Sequence, residues 1–128
     1  MRAPSDRPWR GKTVIDVTNA YGVPLADLDN LPSSAVIAKA FDGAALVKAF
    51  NHLPARTLAA DPQVGSARRV TFLSGDDEAA IPAVAALAER LGFAPVNLGG
   101  LGEGGRLIQA RGNNWSPLTF QDLFKQET

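Results

Sequence analysis

The run Thr13-Val14-Ile15-Asp16-Val17 limits what this chain can become more than any other stretch. Consecutive β-branched side chains suit a strand covered on both faces, the habit of parallel sheets. Thr18 and Asn19 follow at once, and Gly22 and Pro24 then break the chain. Side chains just past the carboxyl end of such a strand line the ligand crevice of open α/β sheets, where a small polar pair can hydrogen-bond a flat ring or its amide. Too few residues stand before the run for a phosphate-binding βαβ unit, so it reads as a strand from the middle of a larger protein.

Strand and helix signals alternate downstream. A loop is expected over residues 25–32, then a short helix capped by Ser33 or Ser34 with Val36, Ile37, Ala40 and Phe41 on its apolar side and Gly43 closing it. Ala45 to Phe50 reads as a second strand, and Pro54 can start a short helix to Ala60. After a turn-rich connector over 61–67, Val70 to Ser74 reads as a third strand. The longest helix should run from about Asp77 to Leu91 with Gly92 behind it, burying Ile81, Val84, Leu87 or Ala88, and Leu91. Pro82 predicts either a kink or a start one turn later. Ala94 to Leu98 is a fourth strand, and Pro117 to Lys125 reads as a final amphipathic helix. The expected fold is α/β, a partial Rossmann-like arrangement with a four-stranded, mostly parallel sheet and flanking helices, in one domain over residues 1–128.

Composition excludes several functions. The 13 basic and 13 acidic residues balance, with no electrostatic footprint for nucleic acid. Zero cysteines remove disulfides, thiol nucleophiles and thiolate metal sites, and a single histidine, His52, removes multi-histidine metal sites. Residues 1–10 lack the apolar core of a secretion signal and no apolar run reaches membrane-spanning length, so a cytoplasmic protein with no membrane partner is expected.

Three stretches compete for chemistry. Residues 100–105 match G-x-G-x-x-G, but only five residues separate them from another turn-rich run, too short for the helix that seats a pyrophosphate, so a flexible loop is preferred. Asp76 and Asp77 suit a helix amino terminus better than a magnesium site. Asn51-His52-Leu53-Pro54 ends the second strand and should share the sheet edge of Thr18 and Asn19; His52 has no serine or carboxylate at triad spacing. Trp9 and Trp115 read as packing residues, and Arg68 with Arg69 as a solvated turn.

Six ordered motifs fall into one register: GKTVIDVTN (residues 11–19), LVKAFNHLPA (46–55), VTFLSGDD (70–77), LGFAPV (91–96), LGGL (98–101) and GGRL (104–107). Together they resemble the carboxyl-terminal half of deazaflavin (coenzyme F-420)-dependent NADP oxidoreductases. The resemblance implies an extended Rossmann fold over which NADP and deazaflavin rings meet for direct hydride transfer, a reaction that needs alignment more than an acid–base side chain. It would bring Thr18, Asn19, Ser34, Asn51, His52 and Leu53 toward the rings, with residues 99–106 closing the pocket. The family's glycine-rich NADP-phosphate unit has no counterpart among these residues. The first expectation is therefore an oxidoreductase-family domain, weak or inactive as an isolated chain, with NADP and deazaflavin bound weakly or not at all. The alternative is a non-enzymatic interaction protein that homodimerises, or pairs with a separate nucleotide-binding chain, through the exposed strand Thr13 to Val17. A more distant option is a small-ligand module built on the glycine-rich loop.

Overall fold

The computed structural model describes residues 8–19, 25–28, 31–108 and 123–126. Gly22, Pro24, Trp115 and most of the expected terminal helix lie outside them. In chain order the labelled elements are β1 (Thr13–Asp16), α1 (Ser33–Ala40), β2 (Ala45–Ala49), α2 (Ala55–Leu58), β3 (Gln63–Val64), β4 (Ala67–Gly75), α3 (Ala80–Arg90), β5 (Ala94–Asn97), α4 (Gly104–Ile108) and β6 (Phe124–Gln126). A single 3-10 turn, Leu25–Leu28, interrupts the expected loop.

The fold is α/β and Rossmann-like, but its sheet has six strands rather than four and is mixed. β1 and β2 are parallel, with Asp16 opposite Lys48. β4 then runs antiparallel to β2, Val47 opposite Gly75 and Ala49 opposite Leu73, and β5 is parallel to β4. The reversal follows from the connection. The connection over residues 50–66 holds the one-turn α2 and then β3, which turns directly into β4 beyond the end at which β2 stops. The chain therefore re-enters from the end at which it left. The supposed connector before β4 holds β3, joined to β4 by a tight turn in which Gly65 takes φ +59°.

The expected terminal helix fails at its end. Phe124–Gln126 is a strand on the early part of β4, and the Phe124 ring lies 5.1 Å from the Arg69 guanidinium. Arg68 and Arg69 belong to β4 and not to a solvated turn: Arg69 is buried and donates to the carbonyls of Thr57 and Asp61, and Arg68 donates to that of Phe93.

Helix α3 starts one turn later than Asp77, so Pro82 occupies its first turn, where no intrahelical partner is needed for a backbone N–H. Ala79 and not an aspartate holds the N-cap position; Asp77 Oδ1 accepts from the amides of Ala79 and of Ala80, the first helical residue, while Asp76 accepts from the Leu101 amide. Gly92 ends the helix at φ +97°. Because the helix stops at Arg90, Leu91 is 54% exposed rather than buried, while Ile81, Val84 and Ala88 pack with Val47, Ala49, Leu53, Leu73 and Phe93. The opposite face of β4 sends Val70 and Phe72 against Ala94 and Ile108. Trp9 packs edge-on against Phe41, ring centroids 4.9 Å apart.

Candidate functional site

Each strand of the β1–β2 pair carries one charged residue turned into the protein. Asp16 and Lys48 are cross-strand neighbours, Ser74 of β4 lies on the far side of Lys48 in the same row, and all three are buried. The Lys48 ammonium stands 3.8 Å from Asp16 Oδ2 and donates to Ser34 Oγ at 3.1 Å, Ser33 Oγ at 3.4 Å and the Thr18 carbonyl at 3.3 Å. Asp16 in turn accepts from Ser34 Oγ at 2.5 Å and from Thr18 twice, its amide at 2.9 Å and its hydroxyl at 2.6 Å. Burial pushes the Lys48 ammonium below its usual range, and the Asp16 charge opposes that shift. Buried charges survive when paired and hydrogen-bonded, and both conditions hold here.

The network holds Thr18 by amide, hydroxyl and carbonyl together, and so fixes where the chain goes after β1. Asn19 comes next and meets Asn51 from the end of β2. Asn19 Nδ2 donates to the Asn51 carbonyl at 2.9 Å, and Asn51 Nδ2 donates to Asn19 Oδ1 at 3.0 Å and to the Ile108 carbonyl at 2.7 Å. Asn51 Oδ1 is buried without a hydrogen-bond partner. Phe50 just before it adopts φ +63°, in the left-handed region that a bulky side chain seldom occupies, and such strain costs of order 1–3 kcal/mol. Its ring is braced at 5.8 Å by Phe93.

The residues singled out in the sequence divide into groups. Thr18, Asn19 and Asn51 converge at one sheet edge, with Ser34 one contact behind them through Asp16. Pro32 and not a serine holds the N-cap position of α1: Ser33 and Ser34 are its first residues and accept from the Lys48 ammonium. His52 is buried with its ring 4.7 Å from that of Phe72, and Leu53 sits in the α3-side core. The glycine-rich loop lies elsewhere. Since β4 runs antiparallel to β2, it passes Lys48 at Ser74 and leaves toward the start of β2; Ser74 Oγ donates to the Gly99 and Gly100 carbonyls, and Asp76 beyond it accepts from the Leu101 amide. Helix α4 then returns along the sheet, so the Ile108 carbonyl, and not the loop, reaches Asn51. Nor is the loop a slack one, because Gly104 is buried where a Cβ would collide with the Leu98 side chain and carbonyl.

Asp16, Lys48 and Ile108 were missed. The signal for the first two was present: a lone charge inside each apolar run, at positions the strand period turns inward. Nothing local marks Ile108. Among the described residues, cavities of about 690 and 540 Å³ open at the loop end, both lined by Asp76 and Glu78. Their carboxylates disfavour anionic dinucleotides, whereas Thr18, Asn19 and Asn51 carry no charge. Among these residues no cluster could hold a metal ion, and no helix is long and apolar enough to cross a membrane.

No protein-family model matches the chain, and no curated protein does. The chain is similar to several solved structures, among them these two. One is the hypothetical protein SMa0349 from Sinorhizobium meliloti, 39% identical over 94% of this chain, with a TM-score of 0.78. The other is a candidate F-420-dependent NADP reductase from Arthrobacter sp. FB24, 29% identical over 72% of this chain, with a TM-score of 0.50. This chain spans 57% and 45% of their respective lengths. The second likeness supports a partial relationship to the deazaflavin-dependent NADP oxidoreductases.

Proposed function

We propose that this chain is an oxidoreductase-type domain whose Thr18–Asn19–Asn51 edge is the ring end of a hydride-transfer site for NADP and a deazaflavin, working in the cytoplasm. The observation that carries the reading is the asparagine pair at the carboxyl ends of two adjacent parallel strands, clamped from behind by Asp16 and Lys48. Its unsatisfied acceptor, Asn51 Oδ1, suits a ligand bearing an N–H group. When both cofactors are bound, the chemistry they supply is hydride transfer from one ring to the other. The protein's share is to hold Thr18, Asn19 and Asn51 rigidly, so that a ring meets a preorganised polar edge. The similarity to a candidate F-420-dependent NADP reductase supports the choice of cofactors.

Among the described residues no backbone cradle for a dinucleotide phosphate stands at this edge, so NADPH affinity should be millimolar, on the order of 4 kcal/mol of binding, with little or no turnover. Calorimetric titration with NADPH and with a deazaflavin tests the reading. Millimolar, saturable binding is expected. Micromolar NADPH binding would mean that a phosphate site exists after all, and no binding of either compound would end the proposal.

A second reading draws on one observation: β1 is the first strand of the sheet order, with only β2 beside it among the described residues. Its outer backbone groups can pair with a second copy, or with a strand of a separate nucleotide-binding chain.

A further inference from the structure

The hydrogen bonds of the Asn19–Asn51 pair do not balance internally. Asn51 Nδ2 commits both N–H groups, to Asn19 Oδ1 and to the Ile108 carbonyl. Asn19 Nδ2 commits one, to the Asn51 carbonyl, and keeps a second. Asn51 Oδ1 accepts nothing, although Asn51 is only 4% exposed. Rotating the amides does not cure this. A flipped Asn51 would set its oxygen against the Ile108 carbonyl, and a flipped Asn19 would set its oxygen against the Asn51 carbonyl. The pair is left with one free donor and one free acceptor.

We infer that Asn19 and Asn51 form a receptor for an amide edge: a flat ring carrying a carboxamide or a lactam, whose N–H reaches Asn51 Oδ1 and whose carbonyl takes the second N–H of Asn19. This rests on the reading of the edge as a ring site, and it adds which edge of the ring is read. An ester, ketone or carboxylate in the same place would leave Asn51 Oδ1 without a donor, the kind of mismatch by which buried polar groups discriminate. The oxygen is enclosed in the free protein, so binding includes a local opening. The half-buried Asn19 side chain is what gives way, while Thr18 stays held through its amide, hydroxyl and carbonyl. The strained Phe50 backbone is what turns Asn51 toward Asn19.

Two sources present this chemistry, a nicotinamide and the pyrimidinedione of a deazaflavin, and paired titrations separate them. NADPH is compared with its 3-acetylpyridine analogue, which keeps the carbonyl and loses the N–H. 5-Deazariboflavin is compared with its N3-methyl derivative. Binding is followed through the side-chain amide resonances of Asn19 and Asn51. In at least one pair, the compound without the donor should bind at least fivefold more weakly. In Asn51→Ala the parent compound should fall to the affinity of its analogue, while Asn19→Ala, which leaves the buried oxygen in place, should keep part of the preference. Equal binding within both pairs would overturn the amide receptor and leave the ring site standing. No binding of any of the four would overturn both. Should Asn51→Ala fail to fold, the analogue pairs and Asn19→Ala decide the matter alone.

Discussion

Lys48 and Asp16 face each other across β1 and β2 with 3.8 Å between charged atoms and 1% of each side chain exposed. Such a pair is costly to assemble and costlier to break, because removing one partner strands the other charge in the interior. Lys48→Met should therefore lower stability by about 3 kcal/mol, and adding Asp16→Asn should restore part of that loss. Denaturant unfolding of the two variants checks this. A double variant no better than the single would mean that the hydrogen bonds around Thr18, and not the charges, dominate.

The same pair makes stability depend on pH in one direction. Burial lowers the Lys48 pKa below its ordinary 10.5, so the folded state bears the penalty of a buried ammonium wherever the pH lies below the folded-state pKa. Between the folded-state pKa and the ordinary value, the unfolded chain binds more protons, and stability rises with pH. Wild type should gain stability relative to Lys48→Met as pH climbs toward that value. A gap between the two that stays flat over this range would show that the amine is not desolvated.

The two asparagines should behave unequally. Asn51→Ala leaves the Ile108 carbonyl and Asn19 Oδ1 without their donor, at a cost of about 1–3 kcal/mol, whereas the half-buried Asn19 should cost no more than about 1 kcal/mol. Thermal unfolding distinguishes them. Equal losses would mean that Asn19 holds the β1 end as firmly as Asn51 does.

Glycines in the GLGEGG segment divide by packing. Gly104→Ala drives a methyl into the Leu98 backbone and should cost roughly 1–3 kcal/mol, while Gly102→Ala enters open space and should fall within about 0.5 kcal/mol of wild type. If Gly104→Ala were harmless, the loop would be slack, as its composition suggests, and free to rearrange around a ligand.

Association through β1 gives a solution test. Val14→Lys and Ile15→Pro should dissociate or aggregate a dimer formed at that edge, and exposed Glu89→Gln should do neither. Arg68 is no neutral control, given its bond to the Phe93 carbonyl. Light scattering that finds a monomer at high concentration would remove the edge-pairing reading.

Much of the fold was legible because its signals are local. The β-branched run made β1, Pro82 set the start of α3, and Gly92 could end that helix with a positive φ. The asparagines could be assigned to strand ends because an apolar run stops there in each case. Direction was not legible. Nothing in the residues of 51–66 states that α2 is one turn long and that β3 folds back, so the parallel pattern was extended one strand too far, and the glycine-rich loop was assigned to the wrong end of the sheet.

The amino-acid order alone determined which segments extend, which coil, and that Thr18, Asn19 and Asn51 stand where strands finish, since each depends on the geometry of a few adjacent residues. Tertiary structure decided that Lys48 finds Asp16 and Ser34, that Ile108 closes on Asn51, and that Gly100 does not. Those outcomes depend on contacts between residues 14 to 57 positions apart, and in a sheet the partner of a buried charge is set by register and direction, which no short stretch of sequence carries.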